Sequence, residues 1–250
     1  CIIGDQQSAL MGQGFSNPKM VSINLGTSGS VQCYTGNNEM FINGLLSNLL
    51  WSSNLKHYFL VEGTINASNS LFYWLEDHLN IPHKKMKWDE RCEKTKTGGI
   101  LVPNFTGIAS PYWVQPKETV FYKLNNTTKD EIIRAGMESI GFFVHDIMQT
   151  LKKDGFEITS IQSAGGGARK PLLQFMADLL DIPVKWSKIK DKTALGVFRL
   201  LFRKQFGEFP EITHSFQEKF FPKMTSDQRK EKLEKWEKAL IVAGVKTGQN

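Results

Sequence analysis

The sequence predicts an α/β fold, a mixed sheet flanked by helices, on three observations. Short runs rich in β-branched residues recur along the chain, among them residues 21–25, 31–34 and 158–163. Between them lie longer stretches whose apolar residues fall three and four apart, most clearly residues 128–155. Glycine-rich turns stand at several of the junctions, and strands that alternate with helices in this way build layered α/β domains.

Taken in order, residues 21–25 and 31–34 read as strands on either side of Gly26-Thr27-Ser28-Gly29, and residues 58–61 read as a third. Residues 67–79 place Leu71, Trp74, Leu75 and Leu79 on one helical face, and Pro82 closes that helix. The charged segment 83–97 has no period and reads as irregular. Gly98-Gly99 introduces a strand at 100–102, ended by Pro103, and proline and glycine recur through Pro116 as in an ordered loop region. Thr128-Lys129-Asp130-Glu131 is a capping box that launches Ile133, Met137, Ile140, Val144, Ile147 and Leu151 on one face, with Gly155 as the stop. A strand at 158–163 then runs into Ala164-Gly165-Gly166-Gly167. Pro171 suits a first helical turn, and Leu172, Leu173, Met176, Leu179 and Leu180 give that helix a core face. Residues 183–186 read as a strand, and 193–206 and 226–242 as helices. The last buries Leu233, Trp236 and Leu240, with Phe216, Phe220, Phe221, Pro222 and Met224 as a packing segment beneath it.

Composition narrows the function classes. A chain of 250 residues with 40% hydrophobic content buries a sizeable core. No run reaches the ~18 apolar residues of a membrane span, so no membrane partner is expected. The net charge of +6 comes from mixed clusters such as residues 227–238, where lysines alternate with glutamates and Glu231/Lys235 and Glu234/Lys238 pair along a helix. A nucleic-acid footprint needs basic residues gathered on one face, so no nucleic-acid partner is expected. Cys1, Cys33 and Cys92 are odd in number and show no metal-ligand spacing; a reduced, cytoplasmic chain without a metal site follows. His57, His78, His83, His145 and His214 are scattered, and His145 reads as a packed or surface residue. The opening Cys1-Ile2-Ile3-Gly4-Asp5, without an initiator Met, reads as the start of a fragment.

Three small-residue turns are candidate binding elements: Gly4-Asp5-Gln6, Gly26-Thr27-Ser28-Gly29 and Gly165-Gly166-Gly167. Glycine lets main-chain N–H groups approach phosphate oxygens, and a helix N-terminus adds partial positive charge. None is a Walker A loop or a dinucleotide fingerprint, and each alone is compatible with a plain connection.

Their order and surroundings resemble a known family. Gly4-Asp5-Gln6-Gln7, Met11-Gly12-Gln13-Gly14, Gly26-Thr27-Ser28-Gly29, Glu62-Gly63, Trp74-Leu75, Pro103-Asn104-Phe105-Thr106-Gly107 with Ser110-Pro111-Tyr112-Trp113, and Ile132-Ile133-Arg134-Ala135 with Glu138-Ser139-Ile140 follow the order seen in the C-terminal half of FGGY carbohydrate kinases, on the glycerol kinase side. Gly165-Gly166-Gly167-Ala168-Arg169, Gln174-Phe175-Met176-Ala177-Asp178 and Thr193-Ala194-Leu195-Gly196 complete the set, and the triple glycine is similar to the xylulose kinase branch.

The resemblance implies an actin-like ATPase domain of ribonuclease-H-like fold over residues 1–250, with the N-terminal sugar-binding domain absent. It implies ATP-dependent phosphorylation of a hydroxyl on a small sugar or polyol, with Mg²⁺ whose ligands come largely from that other domain. Asp5 would be the general base, and Gln6 and Ser30 would face the substrate. Gly26, Thr27 and Gly29 would face the phosphates, Ser28 and Asn69 would be nucleotide-binding, and Gly165, Gly166, Gly167 and Arg169 would lie against the adenosine and α-phosphate. Ser30 stands where glycerol kinases carry phenylalanine, which implies a longer or more polar substrate than glycerol. Asn69, Tyr73 and Val114 also depart from the family pattern, as do Lys117-Glu118-Thr119. The alternative reading is a non-catalytic actin-like domain that binds nucleotide or a regulatory partner. The sequence leaves a homo-oligomer open.

Overall fold

A computed structural model describes residues 2–14, 18–53, 56–187, 189, 191–211 and 216–246. Cys1 and His214 lie outside the described residues.

The expected mixed sheet flanked by helices is present. Helix α1 (Asp5–Gln13) leads to the hairpin β1 (Met20–Leu25) and β2 (Gly29–Gly36), then to β3 (Leu46–Ser53) and β4 (Lys56–Ile65). Helices α2 (Ser70–His78), α3 (His83–Met86) and α4 (Trp88–Lys94) follow, and then the short strands β5 (Ile100–Val102) and β6 (Val120–Tyr122). The chain continues through α5 (Lys129–Lys153), β7 (Ser160–Ala164), α6 (Lys170–Leu180), β8 (Val184–Ser187), α7 (Lys192–Phe206), β9 (Phe216–Phe220) and α8 (Ser226–Val242). Seven strands form one sheet in the order β3-β4-β2-β1-β7-β8-β9, while β5 and β6 pair separately. The pairs β1/β7 and β7/β8 are parallel and the others in the large sheet antiparallel.

Period-2 alternation divides the sheet between two cores. Val21, Ile23, Leu25, Val31, Val61, Ile65 and Ile161 point to the larger core, which is covered by α2, α5, α6 and α8. On the opposite face Leu60 meets Leu10 and Met11 of α1 and Leu200 of α7. The capping box at Thr128 forms as expected: the Glu131 N–H donates to Thr128 Oγ1 at 3.2 Å, and the Thr128 N–H to Glu131 Oε2 at 2.9 Å. All six residues of the expected α5 stripe are buried.

Four local readings are corrected. Asp5 opens a helix rather than sitting in a turn. The segment 83–97 holds two short helices, with Trp88 stacked on Phe72 at 4.0 Å. Strands β3 and β6 were not foreseen. Residues 216–220 form an edge strand on β8; of the expected packing residues Phe220 is buried, while Phe221 is exposed. Cys33 and Cys92 are free and buried, and burial pushes both thiols up to about 12.

Candidate active site

The end of β1 is the anchor. Its last residue, Leu25, accepts a hydrogen bond at its carbonyl from the Gly167 N–H at 2.8 Å. Gly165 has φ +100°, and a Cβ there would drive into the same Leu25 main chain, so only glycine lets the turn after β7 lie on the end of β1. Gly166 is exposed, with open space where its Cβ would be. The hairpin is tied to α2: the Asn69 N–H donates to the Gly26 carbonyl at 3.0 Å and the Ser70 N–H to the Thr27 carbonyl at 3.1 Å. Thr27 and Ser28 project outward, whereas Gly29 is buried. The two glycine turns and the start of α2 therefore make one continuous surface at the C-terminal end of β1, where open α/β sheets bind ligands.

Arg169 borders this surface. Its guanidinium lies 4.0 Å from Asp89, and both line an open cleft with Asn69, Tyr73, Glu76 and Trp88. Tyr73 is exposed, its ring stacked with His83 at 5.7 Å, and His83 Nδ1 is 2.9 Å from Glu76. The Asn69 side chain makes no capping bond at the start of α2.

A second group of polar residues stands on the sheet face toward α1. Asp5, in the first turn of that helix, is exposed and accepts from the Gln6 N–H at 2.8 Å. Ser30, which follows Gly29 on β2, is buried and donates from its hydroxyl to Gln6 Oε1 at 3.1 Å. Two residues on, the Gln32 amide nitrogen donates to the Gln6 main-chain oxygen and to Glu62 Oε2, both at 3.3 Å. Glu62 is 6% exposed. Burial pushes its pKa up, the Gln32 hydrogen bond pulls it down, and the negative Asp5 pushes it up again.

The expected site residues thus fall into two linked sets. Gly26–Gly29, Asn69, Gly165–Gly167 and Arg169 gather around the end of β1, while Asp5, Gln6 and Ser30 join them through β2. Gln32 and Glu62 were missed as members. Glu62 did leave a signal, since a lone carboxylate interrupts the apolar strand Tyr58-Phe59-Leu60-Val61. Among the described residues no group of three or more His, Cys, Asp or Glu side chains is placed to hold a metal ion, and no helix is long and apolar enough to cross a membrane.

Comparison with known proteins follows the same lines. Residues 21–204 match a family model described as the C-terminal domain of the FGGY family of carbohydrate kinases. The chain is 33% identical over 248 residues to the glycerol kinase of Enterococcus casseliflavus, covering 95% of this chain and 49% of that protein. With glycerol kinase 2 of Thermotoga maritima it shares 31% over 247 residues, covering 95% and 50%. The chain therefore spans about half the length of the curated relatives it matches. Among solved structures, Plasmodium falciparum glycerol kinase with ADP superposes with a TM-score of 0.81 at 26% identity, over 96% of this chain and 50% of that one. A ligand-bound xylulose kinase from Lactobacillus acidophilus superposes at 0.78 with 18% identity over 95% and 49%, a likeness of fold alone. The fold is the actin-like ATPase fold of these kinases.

Proposed function

Because the chain belongs to the FGGY family of carbohydrate kinases, we propose that residues 1–250 are the C-terminal, nucleotide-binding domain of an enzyme that transfers the γ-phosphoryl group of ATP to a hydroxyl of a small sugar or polyol. The observation that carries the reading is the joining of two sets of groups: open glycine turns with free main-chain surface, and a carboxylate-amide pair, linked by the Ser30–Gln6 hydrogen bond.

Phosphoryl transfer asks a protein chiefly for position and charge compensation. The exposed main chain at Gly165–Gly166 and Thr27–Ser28, with the guanidinium of Arg169, suits the nucleotide; a related kinase has been solved with ADP. Asp5 takes the proton of the acceptor hydroxyl as its oxygen attacks the γ-phosphorus and the bond to the β-phosphate oxygen breaks, releasing ADP. Gln6 is held by Ser30 and keeps its amide nitrogen for a substrate hydroxyl. Mg²⁺ is normally held by nucleotide phosphates and one or two carboxylates. No all-protein cage is present among the described residues, and in this reading the protein ligands of the ion come largely from the other half of the enzyme.

That other half docks on α7 in this reading. Val197, Phe198, Leu201 and Phe206 of α7 are large apolar residues left exposed, and α7 packs against the helix that carries Asp5. Free, buried cysteines fit a reducing cytoplasm.

The test is Asp5→Asn in the protein that carries both halves. Turnover with ATP and a polyol or ketose panel falls by a factor of about 10²–10⁴, while affinity for ADP is unchanged. Retained turnover refutes the base assignment, and a wild-type protein that binds ADP but phosphorylates no member of the panel favours the regulatory alternative.

A further inference from the structure

We infer that Glu62 is a positioning residue for the Asp5-Gln6 turn and acts on it through Gln32; this rests on the kinase reading above. Glu62 lies in the middle of β4. Its neighbours in register, Gln32 on β2 and Leu46 on β3, carry no charge, and the charged group that acts on it comes from α1, namely Asp5. The next residue, Gly63, faces Ile147 of α5 on the opposite side of the sheet, so α5 presents no ionisable group to Glu62.

Gln32 is fully buried and its amide nitrogen sits between two acceptors, the Gln6 main-chain oxygen and Glu62 Oε2. Two acceptors at one end fix that end as the donor. Gln32 Oε1 has no hydrogen-bond partner among the described residues, so the orientation of the buried amide depends on these two bonds. Gln6 is held from β2 twice, at its side chain by Ser30 and at its main chain by Gln32, and Glu62 holds Gln32. A buried carboxylate beside a second negative charge costs stability, and an arrangement that persists at such a cost is what functional sites contain.

The ionised form grips Gln32 through a charge-assisted bond; the protonated form grips it less. Loss of that grip loosens Gln6 and, with it, the neighbouring Asp5 carboxylate. Misplacement of a reacting group by about 1 Å can cost about a hundredfold, so a partial loosening is expected to cost roughly tenfold.

The experiment compares wild type, Glu62→Gln and Gln32→Met in the protein that carries both halves. Glu62→Gln lowers kcat roughly tenfold at pH 7.5 and leaves the nucleotide KM unchanged. Because Gln mimics the neutral acid, the ratio of wild type to variant narrows toward one as pH falls and wild-type Glu62 takes up its proton. A ratio constant with pH, or a loss confined to nucleotide KM, overturns the inference. Gln32→Met severs the link while leaving Glu62 in place, and the double variant should be no slower than Gln32→Met alone; additive losses refute the relay. Should Glu62→Gln fail to melt cooperatively, the same narrowing ratio for Gln32→Met decides the matter. Asp5→Asn run in parallel separates the two failures. If it is inactive while Glu62→Gln tracks wild type at every pH, only the role of Glu62 falls; if it is active, the kinase reading falls first.

Discussion

Gly165 and Gly166 are neighbours with opposite tolerances, and the difference separates folding from binding. At Gly165 a methyl group meets the Leu25 main chain and the backbone has φ +100°, so Gly165→Ala should lower stability by about 1–3 kcal/mol and weaken ADP binding as well. At Gly166 a methyl group meets nothing within 4 Å, so Gly166→Ala should melt like wild type yet bind ADP roughly tenfold more weakly if phosphates lie against that turn. Differential scanning fluorimetry and ADP titration check both; equal ADP affinity in Gly166→Ala would remove the third turn from the nucleotide site. The types of these residues were legible in the sequence, because glycine at a strand end announces a close approach. What was illegible was the partner. Nothing around Gly165 names Leu25, about 140 residues earlier, and nothing around Glu62 names Gln32, because β-register joins residues that the chain separates.

At the scale of elements, α1 and α7 are held together by glycines. A Cβ on Gly196 would collide with the Ser8 carbonyl, and one on Gly12 with the Lys192 carbonyl, so the two helix backbones touch. Gly196→Ala should part them, costing about 2–3 kcal/mol and lowering Tm by about 5–10 °C. It should also slow turnover, since α1 carries Asp5. The same contact buries Lys192, which is 4% exposed, has no hydrogen-bond partner for Nζ among the described residues, and is pushed down to about 8 by burial. An unfolded lysine keeps its proton up to its ordinary 10.5, so between about 8 and that value the unfolded state binds more protons and stability rises with pH. Lys192→Met should therefore raise Tm at pH 7 and flatten the rise between pH 8 and 9; parallel Tm profiles for the two proteins would show that Lys192 is not the buried charge responsible. Element type was legible wherever periodicity was strong, as in α5 and α6. It failed at β3, whose Leu46 and Leu49 are exposed while Leu50 and Trp51 are buried across a shift in register, so that no alternation survives. It failed again at α1, where Gly4 supplies no capping side chain and nearly every residue after Gln7 is buried.

For the whole molecule, the site is open on the side where Asp5 stands. Under the proposed function Asp5 and Gln6 offer one carboxylate and one amide to a polyhydroxylated substrate, and Thr27, Ser28 and Gly166 are exposed among the described residues. Exclusion of water from the transferring phosphoryl group needs a second wall. In the proposed reading the exposed apolar residues Val197, Phe198, Leu201 and Phe206 are where that wall attaches, and the chain spans about half of its curated relatives. Residues 1–250 alone should therefore bind ADP yet show no robust turnover with ATP, Mg²⁺ and a polyol panel. Addition of the other half as a separate polypeptide should restore turnover in a concentration-dependent way. Phe198→Ser with Leu201→Ser should weaken that complementation at least tenfold while leaving ADP affinity intact, because two large side chains contribute about 3 kcal/mol or more when a partner buries them. The double variant should also reduce self-association of the isolated chain, read by sedimentation velocity, since an uncovered stripe joins copies to one another. Robust turnover by residues 1–250 alone would refute the two-wall arrangement. Complementation indifferent to Phe198 and Leu201 would keep two walls but move the interface off α7, and the polar rim around Asp5 would then be the surface to vary.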